Sequence, residues 1–84
     1  MFKVLIHRKA LKEINQLPVE DRKRIFRTIY EMAEAPLSGD VKPIKGIRGL
    51  LRRRIGDYRL AFTMNFEEGE VAILRVSRRE EFYK

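Results

Sequence analysis

Cysteine is absent from this sequence of 84 residues, and histidine occurs once. Without cysteine there is no disulfide to supplement the core and no thiolate to hold a metal. A lone histidine, His7, argues against a dedicated zinc or non-haem iron site, so neither a metal nor another cofactor is expected. Long apolar runs are missing too. The opening segment MFKVLIH carries a lysine inside it, so neither a signal peptide nor a membrane-spanning helix is expected, and a soluble cytoplasmic protein follows by elimination. Repeats, low-complexity tracts and linkers are likewise lacking. Residues 1–84 therefore read as a single domain around one thin core, of a size that buries only about 60% of its unfolded surface.

What the sequence does have is positive charge. Lys and Arg number 19 against 12 acidic residues, a net charge of +7 with a pI of about 10.1. Such a surplus concentrates anions at the surface and favours nucleic acid as a partner. Composition alone fits a highly charged soluble domain equally well. The scarcity of amides, two Asn and one Gln, also suits a heat-resistant protein.

Hydrophobic periodicity supplies the elements. Residues 2–7 alternate, Phe2, Val4 and Ile6 against Lys3, Leu5 and His7, which is a strand pattern. Residues 8–17 space Leu11, Ile14 and Leu17 as on a helix. Pro18 is expected to open a second helix, with Glu20 and Asp21 in the first turn, where the helix dipole favours carboxylates. Ile25, Ile29, Met32 and Ala33 form its apolar stripe, widened by Phe26 and Tyr30, and Pro36 stops it. Residues 36–49 read as a basic loop, and strands are expected at about 50–55, 58–66 and 70–77. Gly56-Asp57 is a two-residue hairpin signal, and Glu67-Glu68-Gly69 makes the next turn. The fold class is α+β in the order β-α-α-β-β-β, two N-terminal helices packed on a mainly antiparallel four-stranded sheet.

The hairpin turn sets a register. With Gly56 and Asp57 as the loop, Ile55 lies opposite Tyr58, Arg54 opposite Arg59 and Arg52 opposite Ala61. Side chains alternate faces along a strand, so Arg52, Arg54, Arg59 and Ala61 share one side and Leu51, Ile55, Tyr58, Leu60 and Phe62 the other. The apolar set should pack on the helices, leaving three guanidinium groups on the open face. Like charges placed opposite one another destabilise a sheet, and guanidinium matches phosphate oxygens in a bidentate manner, so an anion is the expected neutraliser. A solvated basic strand with counterions is the simpler alternative. Arg53 points toward the helices in this register, which requires it to snorkel at the edge or the strand to bulge.

Beyond the last strand come Ser77-Arg78-Arg79-Glu80-Glu81-Phe82-Tyr83. Phe82 reads as a core plug. Tyr83 is either a plain surface aromatic or a platform on which an unpaired base stacks. Taken with Leu50-Leu51-Arg52-Arg53-Arg54-Ile55-Gly56-Asp57-Tyr58-Arg59-Leu60, this terminal motif resembles the signature of the RelE/ParE toxin superfamily, on its RelE-like branch, and the element order matches that family along the whole chain. The resemblance implies the RelE-like microbial RNase fold and a toxin of a toxin–antitoxin pair. Such a toxin is a ribosome-dependent, metal-independent endoribonuclease (mRNA interferase) that cuts mRNA in the ribosomal A site and is held silent by a RelB-like antitoxin in a hetero-oligomer. It also implies catalytic roles for Arg52, Arg54, Arg59, Arg78 and Tyr83, with Arg79 able to exchange with Arg78. Lysine is often found where Arg52 and Arg54 stand, and the position of Arg53 is usually apolar. A C-terminal helix of some relatives is not expected after Tyr83.

Metal-free RNA cleavage needs the 2′-OH held in line with the phosphorus and the developing negative charge neutralised. Arginine suits the second task and cannot move protons at neutral pH. Histidine is the residue type whose unperturbed pKa suits proton transfer, but His7 stands far from the cluster in sequence. Tyr83 is the better base, since surrounding positive charge lowers the pKa of a tyrosine, and Glu80 and Glu81 are alternatives. Lys42, Lys45 and Arg48, with Arg79, are expected to dock RNA, the ribosome or an acidic antitoxin. Two other classes share the residues: a ParE-like gyrase inhibitor without nuclease activity, and a non-catalytic RNA-binding module.

Overall fold

The computed structural model of the chain describes residues 1–78. The elements run β1 (Lys3–Ile6), α1 (Arg8–Asn15), α2 (Val19–Met32), β2 (Val41–Pro43), β3 (Leu51–Ile55), β4 (Tyr58–Asn65) and β5 (Glu70–Arg78). Five strands form one sheet in the order β1-β5-β4-β3-β2, with β1 parallel to β5 and every other pair antiparallel. The α+β class and the element order agree with the sequence, but the four-stranded expectation is short by one. β2 lies within the stretch read as loop. Three residues including a proline carry no usable alternation, and proline is tolerated there because β2 is an edge strand.

Local chemistry explains the ends of the helices. His7 has an extended backbone, and its Nδ1 accepts the Lys9 amide N–H at 3.2 Å, so the lone histidine caps α1. Pro18 sits one position before the first helical residue of α2 instead of within it, and Glu20 and Asp21 occupy the first turn. The faces buried are narrower than expected. Ala10 and Ile14 of α1 and Ile25, Ile29 and Met32 of α2 enter the core, while Tyr30 is 83% exposed and Leu11 40%. A step of one residue turns a side chain about 100° away, which is enough to carry Tyr30 off the Ile25–Ile29–Met32 line.

The helices cover one face of the sheet. Ile55, Tyr58, Leu60, Phe62, Val71, Ile73 and Val76 meet the helical residues in one core cluster. β5 keeps that pattern only by an irregularity. Ala61 pairs with Arg75 but Phe62 pairs with Ile73, so Leu74 is left over and Ile73 and Val76 both point inward although three residues apart. β1 ends at Ile6, opposite Ile73, and α1 takes over the edge it leaves. Glu13 Oε1 accepts the Val76 N–H and Oε2 accepts from Arg75 Nη2, both at 3.0 Å, so a carboxylate covers the stretch of the β5 edge beyond the end of β1.

β3 and β4 pair in the register expected from the turn: Ile55↔Tyr58, Arg54↔Arg59, Arg52↔Ala61. Gly56 takes φ 61° while Asp57 does not enter the left-handed region, the II′ pattern with glycine first. A Cβ at Gly56 would also lie 2.7 Å from Arg24 Nη1. Gly56→Ala should therefore cost about 1–3 kcal/mol, mostly backbone strain, seen as a lower urea midpoint at unchanged slope. An unchanged midpoint would mean that the turn is built differently.

Candidate functional site

Residues directly opposite on paired strands share a face, so the register lays out the sheet surface away from the helices in rows. Nearest the hairpin turn, Arg54 of β3, Arg59 of β4 and Ser77 of β5 form one row. The next row runs Lys42, Arg52, Ala61, Arg75 across β2 to β5. Cationic side chains from four strands thus converge on two adjacent rows.

Their surroundings differ. Arg52 Nη1 donates to the Asp40 carbonyl at 3.2 Å and forms an ion pair with its Oδ1 at 3.1 Å. That hydrogen bond from Arg52 holds the Asp40 carboxyl below the usual carboxylate range. Arg75 is paired with Glu13. Arg54 is exposed, its Nε donating to the Gly56 carbonyl at 3.3 Å. Arg59 is 3% exposed, and its Nη1 donates to the Tyr58 carbonyl at 3.1 Å. Its buried Nε finds no partner among the described residues, and neither does the buried Oγ of Ser77.

The expectation of a fully uncovered face is therefore corrected. Over the second row, Ile44, Ile47 and Leu50 fold back toward Ala61 and Arg75 around a cleft of about 250 Å³. Nothing in the local pattern of 44–50 announces that return, which is a tertiary contact between the loop and the sheet.

Arg53, the awkward residue, lies on the helix side and snorkels to the sheet margin. Its Nη1 donates to the Ser38 carbonyl at 2.8 Å, and its guanidinium fills the space where a Cβ at Gly39 would stand, 2.5 Å from Cζ. The irregularity offered as the other solution occurs instead at the β4–β5 pairing.

Arg78 pairs with Tyr58, which places it on the helix side and not in the Arg54–Arg59 row. It is exposed, with Cζ 5.5 Å from the centroid of the Tyr58 ring, a cation–π contact. Tyr58 is buried, and its hydroxyl donates to Asp21 Oδ2 at 2.8 Å, tying the hairpin to the first turn of α2. Burial first, and then the bond to Asp21, push the Tyr58 pKa above the ordinary tyrosine value. A raised folded-state pKa stabilises below the unfolded value of about 10, and that stability is lost as pH rises through the folded value. Tyr58→Phe should cost about 1–2 kcal/mol near neutrality, with the gap to wild type closing at strongly alkaline pH, as followed by urea unfolding. A gap that stays constant with pH would refute the linkage.

Lys42 stands exposed in β2, and Lys45 and Arg48 are exposed in the connection to β3. Arg79, Glu80, Glu81, Phe82 and Tyr83 lie outside the described residues. Sequence reasoning missed Ser77, Arg75, Asp40 and Glu13. Ser77 becomes visible only once the β4–β5 register is known, and the leftover Leu74 hides that register from any period-two count. Among the described residues, no group of three or more His, Cys, Asp or Glu side chains could hold a metal ion, and no helix is long and apolar enough to cross a membrane.

A helical hairpin on one face of the sheet and a row of arginines from the β3–β4 hairpin on the other face invite comparison with known proteins. The model of the ParE toxin of type II toxin–antitoxin systems, parDE, matches residues 4–83. The chain belongs to the RelE/ParE toxin superfamily. It is similar to the putative toxin RelE1 of Methanocaldococcus jannaschii, 31% identical over 99% of this chain and 96% of that protein. The fold superposes on that of the archaeal RelE–RelB complex from Pyrococcus horikoshii with a TM-score of 0.82 at 26% identity, covering 93% of this chain and 94% of that one. For the toxin–antitoxin complex RelBE2 from Mycobacterium tuberculosis the TM-score is 0.83 at 26% identity, covering 93% and 98%. The family model carries the parDE name and the full-length relatives the RelE name. Both kinds share this scaffold, so the division between them falls to the chemistry of the site.

Proposed function

We propose that this RelE/ParE toxin is a metal-independent endoribonuclease that cuts mRNA in the ribosomal A site, stops translation, and is silenced in the cytoplasm by a RelB-like antitoxin. The observation that carries this reading is the pairing of Arg54 with Arg59 on the sheet face away from the helices. Arg59 is withdrawn from water, where a guanidinium acts on a developing phosphorane charge far more strongly than in bulk solvent. Exposed Arg54 beside it can meet the phosphate first, in the fork geometry that suits its oxygens. Arg52 and Arg78 flank the pair from the next row and from the strand end. Tyr83 is assigned the proton-transfer step, because none of the arginines can take it.

Lys42, Lys45 and Arg48, exposed along one edge, together with Arg79, are assigned to docking on ribosomal RNA, with affinity that falls as salt rises. Two further features support an antitoxin. The similar archaeal and mycobacterial toxins were solved bound to one. Exposed Phe26 and Tyr30 also line an apolar groove of about 360 Å³ with Val4, Ile6, Ile29 and Ala33, a surface of the kind that protein partners cover.

The purified toxin is to be added to ribosomes stalled on a defined mRNA, and in parallel to DNA gyrase. Cut mRNA ends at the A site with unaffected supercoiling support the reading. Gyrase inhibition without cutting would replace it with the ParE-like alternative, and salt-sensitive RNA binding without either would leave a non-catalytic module.

A further inference from the structure

We propose that Ser77 belongs to the phosphate site, its hydroxyl donating to a non-bridging oxygen of the phosphate that Arg59 holds. The inference rests on the nuclease reading and names a further residue of that same site. Ser77 lies directly opposite Arg59 on the neighbouring strand and shares its face of the sheet. Both side chains are more than nine-tenths buried, and each keeps a buried polar atom, Ser77 Oγ and Arg59 Nε, without a partner among the described residues. Buried polar atoms are nearly always hydrogen-bonded, so two orphans carried by one register pair on one face of the sheet call for an occupant.

The chemistry of the pair selects that occupant. A guanidinium only donates and a hydroxyl can donate, so the complement is an acceptor with several lone pairs at short spacing, which a phosphate supplies. The neighbouring cations are already answered from within: Arg52 by Asp40 and Arg75 by Glu13. Arg59 has no acidic partner among the described residues. The row is the last on this face before the hairpin turn and includes exposed Arg54, so that end of the sheet is the side from which the anion approaches.

The test separates a ligand-binding hydroxyl from a structural one by opposite signs. Thermal unfolding of the toxin is measured in sodium phosphate and in sodium chloride of equal ionic strength, beside single-turnover cleavage of ribosome-bound mRNA, for wild type, Ser77→Ala, Ser77→Thr and Arg59→Met. In chloride, Ser77→Ala is expected to be at least as stable as wild type, because it removes an unpaired buried hydroxyl. In phosphate it should lose much of the added stability, and its cleavage rate should fall about tenfold, the loss of roughly one hydrogen bond, while Ser77→Thr keeps most of the rate. Wild-type cleavage and an unchanged phosphate shift in Ser77→Ala would overturn the assignment. So would a drop in stability in chloride that tracks the loss of rate. Should Arg59→Met also cleave normally, the nuclease reading itself falls; loss confined to Arg59→Met removes only Ser77.

Discussion

Replacing Arg59 by methionine should lower ribosome-dependent mRNA cleavage by at least about a hundredfold while leaving the protein as stable as before, or more so. The two halves of that result have different causes. Cleavage suffers because a donor aimed at developing negative charge inside a water-poor site is worth roughly two to three powers of ten in rate. Stability does not suffer because Arg59 is a buried charge held by one backbone carbonyl, with an unpaired Nε and no acidic neighbour among the described residues. Methionine nearly preserves the volume and removes the desolvated charge, an exchange that is often neutral or favourable. Arg59→Lys should also be strongly impaired, since an ammonium keeps the charge but not the planar fork. Rate and stability are read separately, by primer extension on ribosome-bound message and by urea unfolding. Normal cleavage by Arg59→Met would end the assignment. A collapse of stability would instead show that the guanidinium serves the fold.

Phe62→Ala should cost about 3–5 kcal/mol, with a fall in Tm of at least roughly 12 °C. Phe62 is fully buried in the middle of β4, on the side that faces both helices, and it is the largest fully buried side chain among the described residues. Among the described residues the buried apolar side chains form one such cluster, and the total stability of a domain this small is of the same order as this loss, so the variant is expected to be substantially unfolded at 37 °C. Phe66→Ala is the contrasting case. Phe66 is 69% exposed and meets Phe2 edge to face at 6.2 Å between ring centroids, so its loss should cost about 1 kcal/mol or less. Equal losses at the two positions, measured by denaturant unfolding, would contradict the placement of the core.

The hairpin was legible because its chemistry is local. Glycine at a positive-φ position names the turn, the turn sets the register, and period-two alternation divides Leu51, Ile55, Tyr58, Leu60 and Phe62 from Arg52, Arg54 and Arg59. The helices were legible for the same reason, although Tyr30 made the α2 stripe too wide and Leu11 was read as a core position of α1 in place of Ala10. β2 was missed because three residues with a proline at a sheet edge owe their strand conformation to β3 and not to their own preference.

The candidate site divides along the same line. That arginines gather on one side of a β-hairpin was settled by the sequence, since it follows from a turn and an alternation that hold within a dozen residues. Which of those arginines is neutralised was decided only by the fold. Asp40 reaches Arg52 and Glu13 reaches Arg75 across 12 and 62 residues of chain. The unpaired bulge residue Leu74 brings Ser77, not its neighbour, opposite Arg59. Charge pairing and burial depend on distances in space, and no periodicity encodes a contact between segments that far apart.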